Sequence, residues 1–385
     1  MQELPYSLTI KPVGATCNLD CSYCYYLSNE DCRPSEMPSE MVDVVVKNHI
    51  ESQPKKNTSV DFIWHGGEPM LRGRAFYQHA FEQQQRWAGD KTIVNTIQTN
   101  GTLINRQWAL FFRDHNVMVG VSIDGPNLLN DMARIDKTGQ SSFERTMAGI
   151  SRLKEYDIEF NTLTVINRRT YQHGQKIYHF LKQAGSRYLQ FQPCLDHELD
   201  RRSSVDWSLT GDQWGQFLCD VFDEWCKDDI GKVYVQFFEN CLMILMGQPS
   251  QMCHHSAQCG QQLMMEANAD VYSCDHYGYR KHRIGDGFDT PLQFLVTDKQ
   301  QREFAEQKQA TLSTHCHECD FLQLCQGGCP KYRIEKVTDE KGENEQQHNV
   351  LCAGYQHFFR YALPRMLKMV DAMNSGYPPQ YYSLV

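Results

Sequence analysis

The sequence predicts an α/β protein with a parallel sheet at its centre, followed by a smaller cysteine-rich region. Two observations support this fold class. Short β-type runs alternate with longer helical patterns through roughly the first 225 residues, and after about residue 230 the pattern changes and Cys and His become frequent. Six β/α units are implied, and right-handed crossovers between parallel strands give either an open barrel or a doubly wound sheet.

The six strand candidates are short runs rich in β-branched and aromatic residues. They cover residues 6–10, 60–64, 92–98, 118–123, 160–165 and 188–192. Helical periodicity separates them at residues 38–53, 74–88, 105–115, 146–156 and 170–184. Ligands of parallel α/β sheets bind at the carboxyl ends of the strands, so we expect the functional site where these six strands end.

The later part of the chain is expected to form a second domain, which divides the protein into residues 1–230 and 231–385. Residues 264–272 predict a hairpin with a polar turn around Asn268. The charged and polar stretch at 339–349 is expected to be an exposed loop, and residues 355–373 predict a closing helix.

The composition excludes several functional classes. With 38 Lys and Arg against 47 Asp and Glu, the 385-residue chain has a formal charge of -9, which argues against a nucleic-acid surface. The sequence contains no run of about 18 apolar residues that could span a bilayer. Its N-terminal segment lacks the basic region of a signal peptide. We therefore expect a cytoplasmic protein with no membrane partner. Because the cytosol keeps thiols reduced, the 16 cysteines are better suited to metal ligation than to disulfides.

Three cysteines follow the first predicted strand with the spacing C-x3-C-x2-C. They are Cys17, Cys21 and Cys24, and they are called the cysteine triplet below. A structural zinc site needs four ligands, whereas three cysteines leave the fourth iron of a [4Fe-4S] cluster open to a small molecule. The triplet therefore indicates a cluster with an open iron.

Eight further cysteines lie between residues 253 and 352. They are Cys253, Cys259, Cys274, Cys316, Cys319, Cys325, Cys329 and Cys352. Eight thiolates suffice for two fully ligated iron-sulfur clusters. The alternative is a zinc ribbon formed by the four cysteines at 316–329 alone, which would leave the other four without a role.

Four motifs, in order along the chain, carry a resemblance to a known superfamily. They are the triplet with Tyr23 and Tyr25, Gly66-Gly67-Glu68-Pro69, Gln98-Thr99-Asn100-Gly101 and Ser122-Ile123-Asp124-Gly125-Pro126. Together they resemble the radical S-adenosylmethionine (SAM) enzymes, and the eight later cysteines resemble a SPASM domain. The resemblance implies a partial (β/α)6 barrel with a C-terminal cysteine-rich SPASM domain binding two iron-sulfur clusters.

Within that superfamily the chain is most similar to anaerobic sulfatase-maturating enzymes, which oxidise a Cys or Ser of a sulfatase to Cα-formylglycine. The segments at 189–196 and 272–275 carry this likeness. It implies three [4Fe-4S] clusters and SAM as cofactors. In addition to the triplet, it implies that Cys253, Cys259, Cys274 and Cys329 hold one auxiliary cluster and that Cys316, Cys319, Cys325 and Cys352 hold the other. His65 departs from some members, which carry Gln there.

The resemblance also implies which residues contact SAM. They are Tyr23, Tyr25, Gly66, Gly67, Glu68, Asn100, Ser122, Arg134 and Leu195. The backbone at Gly66 and Gly67 and the Glu68 carboxylate are expected to take the SAM ammonium. Ser122 and Arg134 are expected to take its carboxylate. Arg134 could instead be a surface arginine, and Leu195 plain core.

Asp275, next to the implied ligand Cys274, is the expected catalytic base, provided that desolvation raises its pKa. Its alternative role is a turn aspartate that bonds local backbone. The expected partners are a sulfatase polypeptide and an electron donor such as flavodoxin or ferredoxin. Two rival functions are a SPASM enzyme that installs a thioether or carbon-carbon crosslink in a ribosomal peptide, and a zinc-cluster interaction module. The second rival would leave the Gly-Gly-Glu-Pro motif without a role.

Overall fold

A computed structural model describes residues 5–28, 35–195, 207–338 and 345–384 of the chain. Its centre is a ten-stranded sheet in the order β10-β9-β8-β1-β2-β3-β4-β5-β6-β7, and β11 and β12 form a separate hairpin. The strands are β1 (Ser7–Ile10), β2 (Ser59–Trp64), β3 (Thr92–Thr99), β4 (Met118–Ser122), β5 (Phe160–Ile166), β6 (Tyr188–Pro193), β7 (Tyr234–Val235), β8 (Gln262–Met265), β9 (Asp270–Tyr272), β10 (Arg283–Asp286), β11 (Arg333–Thr338) and β12 (Glu345–Asn349).

The helices mostly follow the strands in alternation through the first half of the chain. They are α1 (Tyr25–Ser28), α2 (Ser39–Glu51), α3 (Arg74–Trp87), α4 (Arg106–Asp114), α5 (Asn127–Asn130), α6 (Phe143–Glu155), α7 (Gly174–Ala184), α8 (Gly211–Asp228), α9 (Gln236–Leu245), α10 (Leu292–Val296), α11 (Lys299–Ala310), α12 (Thr314–His317), α13 (Leu322–Cys325) and α14 (Cys352–Asn374). No helix in the described ranges is both long and apolar enough to cross a membrane.

The strands β1 to β6 pair in chain order and all run parallel, which confirms the predicted α/β architecture of a partial (β/α)6 barrel. Each of the six predicted strands agrees with the observed one to within a residue at either end. Side-chain burial explains the agreement. In β5 every second side chain is buried, and α2 buries Val42, Val45 and Val46 on one face, as the two backbone periods require.

Helix starts were harder to predict than strands. The helix expected to begin at residue 146 begins at Phe143, and the one expected at residue 170 begins at Gly174 after a short 3-10 turn. The predicted hairpin at 264–272 is present as β8 and β9, with Ala269 at a φ of 68° in the turn. The closing helix is α14.

The sheet does not stop at the predicted domain boundary. β7 begins at Tyr234 and pairs with β6, and β8 runs parallel to β1, with Met265 opposite Ile10. The hairpin of the cysteine-rich region thus extends the barrel sheet at its first strand. The division into residues 1–230 and 231–385 remains a prediction.

The stretch expected to be an exposed loop is only partly described, because residues 339–344 lie outside the described ranges. For residues 345–349 the expectation was wrong. They form β12, which pairs antiparallel with β11 and buries His348 and Asn349. Their side chains are polar, so no apolar alternation marks the strand in the sequence.

Candidate active site

A cavity of about 1360 Å³ extends along the interior of the curved sheet. At the carboxyl ends of the strands it is lined by His65, Gln98 and Ser122, and at the opposite ends by Met118 and Tyr188. The cysteine triplet also lines it. The cavity thus includes the strand ends where the sequence predicted a site and extends well beyond them.

The cysteine triplet lies in the loop between β1 and α1. The backbone N–H of Leu19 donates to Cys17 Sγ at 3.4 Å, and Asn100 Nδ2 approaches the same sulfur at 3.9 Å. Burial raises the pKa of Cys17 to about 11 and that of Cys21 to about 12. Without a nearby cation Cys17 and Cys21 therefore stay protonated, and a bound metal would deprotonate them. Three cysteines on one loop are the donor set that a [4Fe-4S] cluster with one open iron requires.

The loop after β2 packs its backbone directly against the cysteine loop. Gly67 N–H donates to the Gly14 carbonyl at 2.9 Å, and Glu68 N–H donates to the Thr16 carbonyl at 2.8 Å. A Cβ on Gly67 would lie 2.1 Å from the Thr16 oxygen, and Gly66 has a φ of 118°. Two glycines are therefore needed for this close approach, and both face the cavity.

Glu68 differs from the expectation that its carboxylate faces the SAM ammonium. The carboxylate is fully buried and accepts hydrogen bonds from Met70 N–H, Asn100 N–H and the Thr99 hydroxyl at 2.8–3.0 Å. It is not part of the cavity wall. Burial raises the pKa of Glu68 to about 7. Because its acceptor sites are used internally, Glu68 ties the glycine loop to the end of β3 and positions that loop.

Tyr23, Arg134 and Asp124 form one buried polar group at the end of β4. Arg134 Nη1 donates to the Tyr23 hydroxyl at 2.9 Å, and that hydroxyl donates to Asp124. Arg134 is 7% exposed and lines the cavity, so it is not the surface arginine considered as its alternative. A buried guanidinium beside the triplet suits a carboxylate ligand.

Three further expected cofactor residues line the same cavity. Ser122 Oγ accepts a hydrogen bond from Gln98 Nε2 at 2.9 Å. Asn100 donates through Nδ2 to Asn18 Oδ1 at 2.8 Å, which holds it beside Cys17. Leu195 lies on the cavity wall and packs against the main core, while Asp196 of the same segment lies outside the described residues.

Asp275 reaches the cavity from the turn after β9 and binds two side chains of the N-terminal region. Its Oδ1 lies 2.6 Å from Lys11 Nζ, and its Oδ2 accepts from the Tyr25 hydroxyl at 2.7 Å. These long-range contacts contradict the alternative role of an aspartate that only bonds local backbone. They also place Tyr25, expected at the cofactor, beside Asp275.

The expectation that desolvation leaves Asp275 with a raised pKa was wrong. Burial alone raises the pKa of Asp275, but the Lys11 ammonium holds it below its usual range. The carboxylate is therefore ionised and a weak base. Lys11 itself is fully buried, and its ammonium also lies 3.5 Å from the centre of the Tyr26 ring.

Lys11 is the main site residue that the sequence reasoning missed. The available signal was its position immediately after the first buried strand, where the strand-end rule puts ligand contacts. His65 follows β2 in the same way. Its Nδ1 accepts from Gly66 N–H at 2.6 Å, which leaves the ring proton on Nε2, and burial lowers the pKa of His65 so that it is neutral.

The later cysteines divide between two cavities. Cys253, Cys259, Cys274 and Cys329, called the first quartet, line the main cavity. Cys316, Cys319, Cys325 and Cys352, called the second quartet, line a separate small cavity. These are the two sets that the family resemblance implied. Within the described residues no three Cys, His, Asp or Glu side chains converge closely enough to hold a single ion.

Each quartet has nearby side-chain donors. His276 Nδ1 lies 3.8 Å from Cys329 Sγ in the first quartet. In the second, His348 Nδ1 lies 3.9 Å from Cys316 Sγ, and Gln356 Nε2 lies 3.7 Å from Cys352 Sγ. His348 was also missed, because it belongs to the stretch expected to be a loop.

Comparison with known proteins agrees with this arrangement. The Radical SAM superfamily matches residues 12–181. The serine-type anaerobic sulfatase-maturating enzyme of Bacteroides thetaiotaomicron is 37% identical over 380 residues, covering 94% of this chain and 90% of that protein. The cysteine-type enzyme of Clostridium perfringens strain 13 is 32% identical over 373 residues, covering 95% and 99%.

Two solved structures are similar to this chain over most of its length. Native anSMEcpe with bound AdoMet and Cp18Cys peptide matches with a TM-score of 0.86 and 32% identity, covering 96% of this chain and 99% of that one. Streptococcus suis SuiB bound to S-adenosylmethionine matches with a TM-score of 0.63 and 16% identity, covering 86% and 74%. The second likeness concerns the fold alone.

Proposed function

This chain belongs to the radical SAM superfamily and, within it, to the anaerobic sulfatase-maturating enzymes, and from that membership we propose how its own site works. The enzyme acts on a sulfatase polypeptide and oxidises an active-site Cys or Ser to Cα-formylglycine. The observation that carries this assignment to individual residues is the contact of Asp275 with Lys11 and Tyr25, in the same cavity as the cysteine triplet.

Three [4Fe-4S] clusters and SAM are the proposed cofactors. The triplet would hold the cluster with the open iron, and the two quartets would hold the auxiliary clusters. Gly66, Gly67, Asn100, Ser122 and Arg134 would bind SAM, because each lines the cavity beside the triplet. When bound there, SAM supplies a 5′-deoxyadenosyl radical that can remove a hydrogen atom from a substrate carbon.

Asp275 is proposed as the acceptor of the proton that the substrate thiol or hydroxyl loses. Lys11 keeps the carboxylate ionised, and the Tyr25 hydroxyl fixes its orientation through Oδ2. A carboxylate with a lowered pKa is a weak base, so it suits a proton released as the substrate is oxidised better than one removed beforehand. Neutral His65, with its proton on Nε2, can donate a hydrogen bond from the same wall.

The proposed reaction needs one electron to start SAM cleavage and an acceptor for the electron that the substrate loses. A flavodoxin or ferredoxin would reduce the triplet's cluster, and an auxiliary cluster would accept the electron that the substrate must lose. The first quartet is the better placed acceptor, because it lines the same cavity as Asp275. We also propose a cytoplasmic location, since eleven thiolate ligands require a reducing compartment.

The test uses two synthetic peptides that carry the sulfatase target sequence and differ only in Cys or Ser at the oxidised position. Each is incubated anaerobically with reconstituted enzyme, SAM and reductant, and the product is analysed by mass spectrometry with an aldehyde-specific hydrazine. An aldehyde from either peptide is expected, and the two rates show which target is preferred. A crosslinked peptide without aldehyde would instead support the rival SPASM chemistry.

The matched control is the enzyme in which the three cysteines of the triplet are replaced by Ala. It should yield neither 5′-deoxyadenosine nor aldehyde while keeping the auxiliary clusters. Aldehyde formation by this control would mean that the oxidation does not depend on the triplet, and the proposed assignment of the site would be wrong.

A further inference from the structure

Two buried cations lie beside the cysteine quartets. Lys308, on α11, is fully buried, and Arg333, at the start of β11, is 4% exposed. They are connected to each other, because Arg333 Nη1 donates to the Lys308 carbonyl at 2.7 Å. Neither has a role in the chemistry described so far.

Within the described residues, the side-chain hydrogen bonds of both cations go to neutral oxygens. Lys308 Nζ donates to the carbonyl of Cys253 at 2.7 Å. Arg333 donates to the carbonyls of Gly327 and Gln326, both at 3.2 Å, and to the Thr311 hydroxyl at 2.9 Å. Among the described residues, neither cation makes an ion pair with a carboxylate within 4.0 Å; the ion pairs found there involve other groups.

Burial lowers the pKa of Lys308 and of Arg333, and the cysteines of the quartets, as thiolates, act in the opposite direction. Lys308 interacts with Cys259, Cys253 and Cys329, all of the first quartet. Arg333 interacts with members of both quartets, led by Cys316 of the second and then Cys259 of the first. Arg333 therefore lies close enough to interact electrostatically with both quartets.

The loop that joins the quartets is built around Arg333. Cys325 belongs to the second quartet and Cys329 to the first, and Gly327 lies between them. A Cβ on Gly327 would lie 2.6 Å from Arg333 Nη2, and the residue has a φ of 68°, so any larger residue would be strained there. The guanidinium thus packs directly on the backbone that fixes the distance between the two sites.

An isolated buried charge is expensive, and a buried cation persists only when a nearby anion offsets its desolvation. Here the available anions are the thiolates of the quartets once they bind metal. A cluster with four thiolate ligands carries net negative charge, and a fixed cation nearby favours its reduced, more negative form.

We propose that Lys308 and Arg333 are positioning residues that form a shared cationic bridge, which raises the reduction potentials of both auxiliary clusters and so makes them better electron acceptors. This inference rests on the proposed function, because it requires that the quartets bind clusters. Lys308 acts mainly on the first quartet, whereas Arg333 acts on both.

The test is Lys308→Met, which keeps an unbranched side chain and removes the charge. We expect one-electron reduction of an auxiliary cluster to become about tenfold less favourable, a shift of about 59 mV to lower potential for one electron. The measurement is a redox titration followed by electron paramagnetic resonance on enzyme with a determined iron content. The signal of the triplet's cluster should not move.

Two control variants separate charge from structure. Lys308→Arg keeps the charge and should keep the potential. Lys299→Met removes a lysine whose side chain is 82% exposed on the same helix and should change nothing.

The possible results each decide the question. An unchanged potential in fully loaded Lys308→Met would overturn the proposal, and so would an equal shift in Lys308→Arg. If Lys308→Met fails to load its auxiliary clusters while Lys308→Arg loads them, the charge is needed for cluster binding and the bridge is supported. If both fail, Lys308 is structural only. Wild-type enzyme with iron at the triplet alone would refute the proposed cluster content instead.

Discussion

Breaking the Lys11–Asp275 pair separates the two roles open to Asp275, that of proton acceptor and that of counter-ion to a buried lysine. Lys11 Nζ and Asp275 Oδ1 lie 2.6 Å apart, with the two side chains 1% and 25% exposed. At that distance an effective dielectric constant of about 20 gives an attraction of about 6 kcal/mol. Removing one partner of a buried pair typically destabilises a protein by about 3–5 kcal/mol, because the other charge is left uncompensated.

Three variants test the two roles. Asp275→Asn is expected to lower thermal stability and to slow formylglycine formation by about 10²-fold or more, while SAM cleavage continues. Lys11→Met should also lower stability, because it leaves the carboxylate without its counter-charge. The double variant should lose less stability than the two single losses combined, since no unpaired charge remains. It should still lack product formation.

The assay compares enzymes of equal iron content under anaerobic conditions. Thermal unfolding reports stability, chromatography quantifies 5′-deoxyadenosine, and mass spectrometry quantifies the aldehyde in single turnovers. If the double variant recovered product formation together with stability, Asp275 would be a counter-ion only. Near-wild-type product formation by Asp275→Asn alone would lead to the same conclusion.

Three further predictions concern the metal content, the glycine loop and the barrel core. Iron analysis of anaerobically purified enzyme should give about twelve irons per chain, and about eight when the triplet is replaced by Ala; zinc in the quartets would contradict this. Gly67→Ala should abolish SAM binding in equilibrium dialysis, because its Cβ would lie 2.1 Å from a backbone oxygen. In the control Gly73→Ala the φ of 82° strains the backbone but the Cβ meets no atom within 4 Å, so this variant should retain SAM binding. Burial lowers the pKa of His49 from 6.5 to about 4, so the unfolded chain binds a proton that the folded chain excludes. His49 alone should therefore lower stability by about 2 kcal/mol as the pH falls from 7 to 5. Other histidines with lowered pKa values, such as His255, add to this loss, so His49→Phe should make that part of the thermal-unfolding profile less steep by about the His49 contribution; an unchanged slope would contradict the assignment.

The strands of the barrel could be predicted because their pattern is local. In β2, for example, buried Val60, Phe62 and Trp64 alternate with less buried residues, and this pattern fixes the position of the strand. β12 could not be predicted in this way. Its polar residues are held by pairing with β11 and by contacts such as Ser313 Oγ with His348 Nδ1 at 2.9 Å. Such contacts lie between segments that are distant in sequence.

The same distinction applies to the site. Motif spacing was enough to single out the triplet, because its three cysteines lie within eight residues of one another. The division of the eight later cysteines into two quartets was implied only by the family resemblance, since it joins residues as distant as Cys253 and Cys329. The direction of a carboxylate and its pKa are not local. Glu68 turns away from the cavity because β3 offers it the Asn100 N–H and the Thr99 hydroxyl. Asp275 has a lowered pKa because Lys11 lies beside it, and nothing within the 272–275 segment indicates that neighbour.

The pairing of β8 with β1 explains how Asp275 and Lys11 meet. Met265 lies opposite Ile10, and Lys11 N–H donates to the Met265 carbonyl at 2.9 Å, so the hairpin of β8 and β9 is aligned with the first barrel strand. The turn after β9 then places Asp275 over the end of β1. The cysteine-rich region therefore supplies a side chain to the barrel's own active site and aligns it through backbone hydrogen bonds. Substitutions that weaken this strand pairing should reduce product formation more than SAM cleavage, because the residues proposed to bind SAM belong to β4 and to the loops that follow β2, β3 and β4.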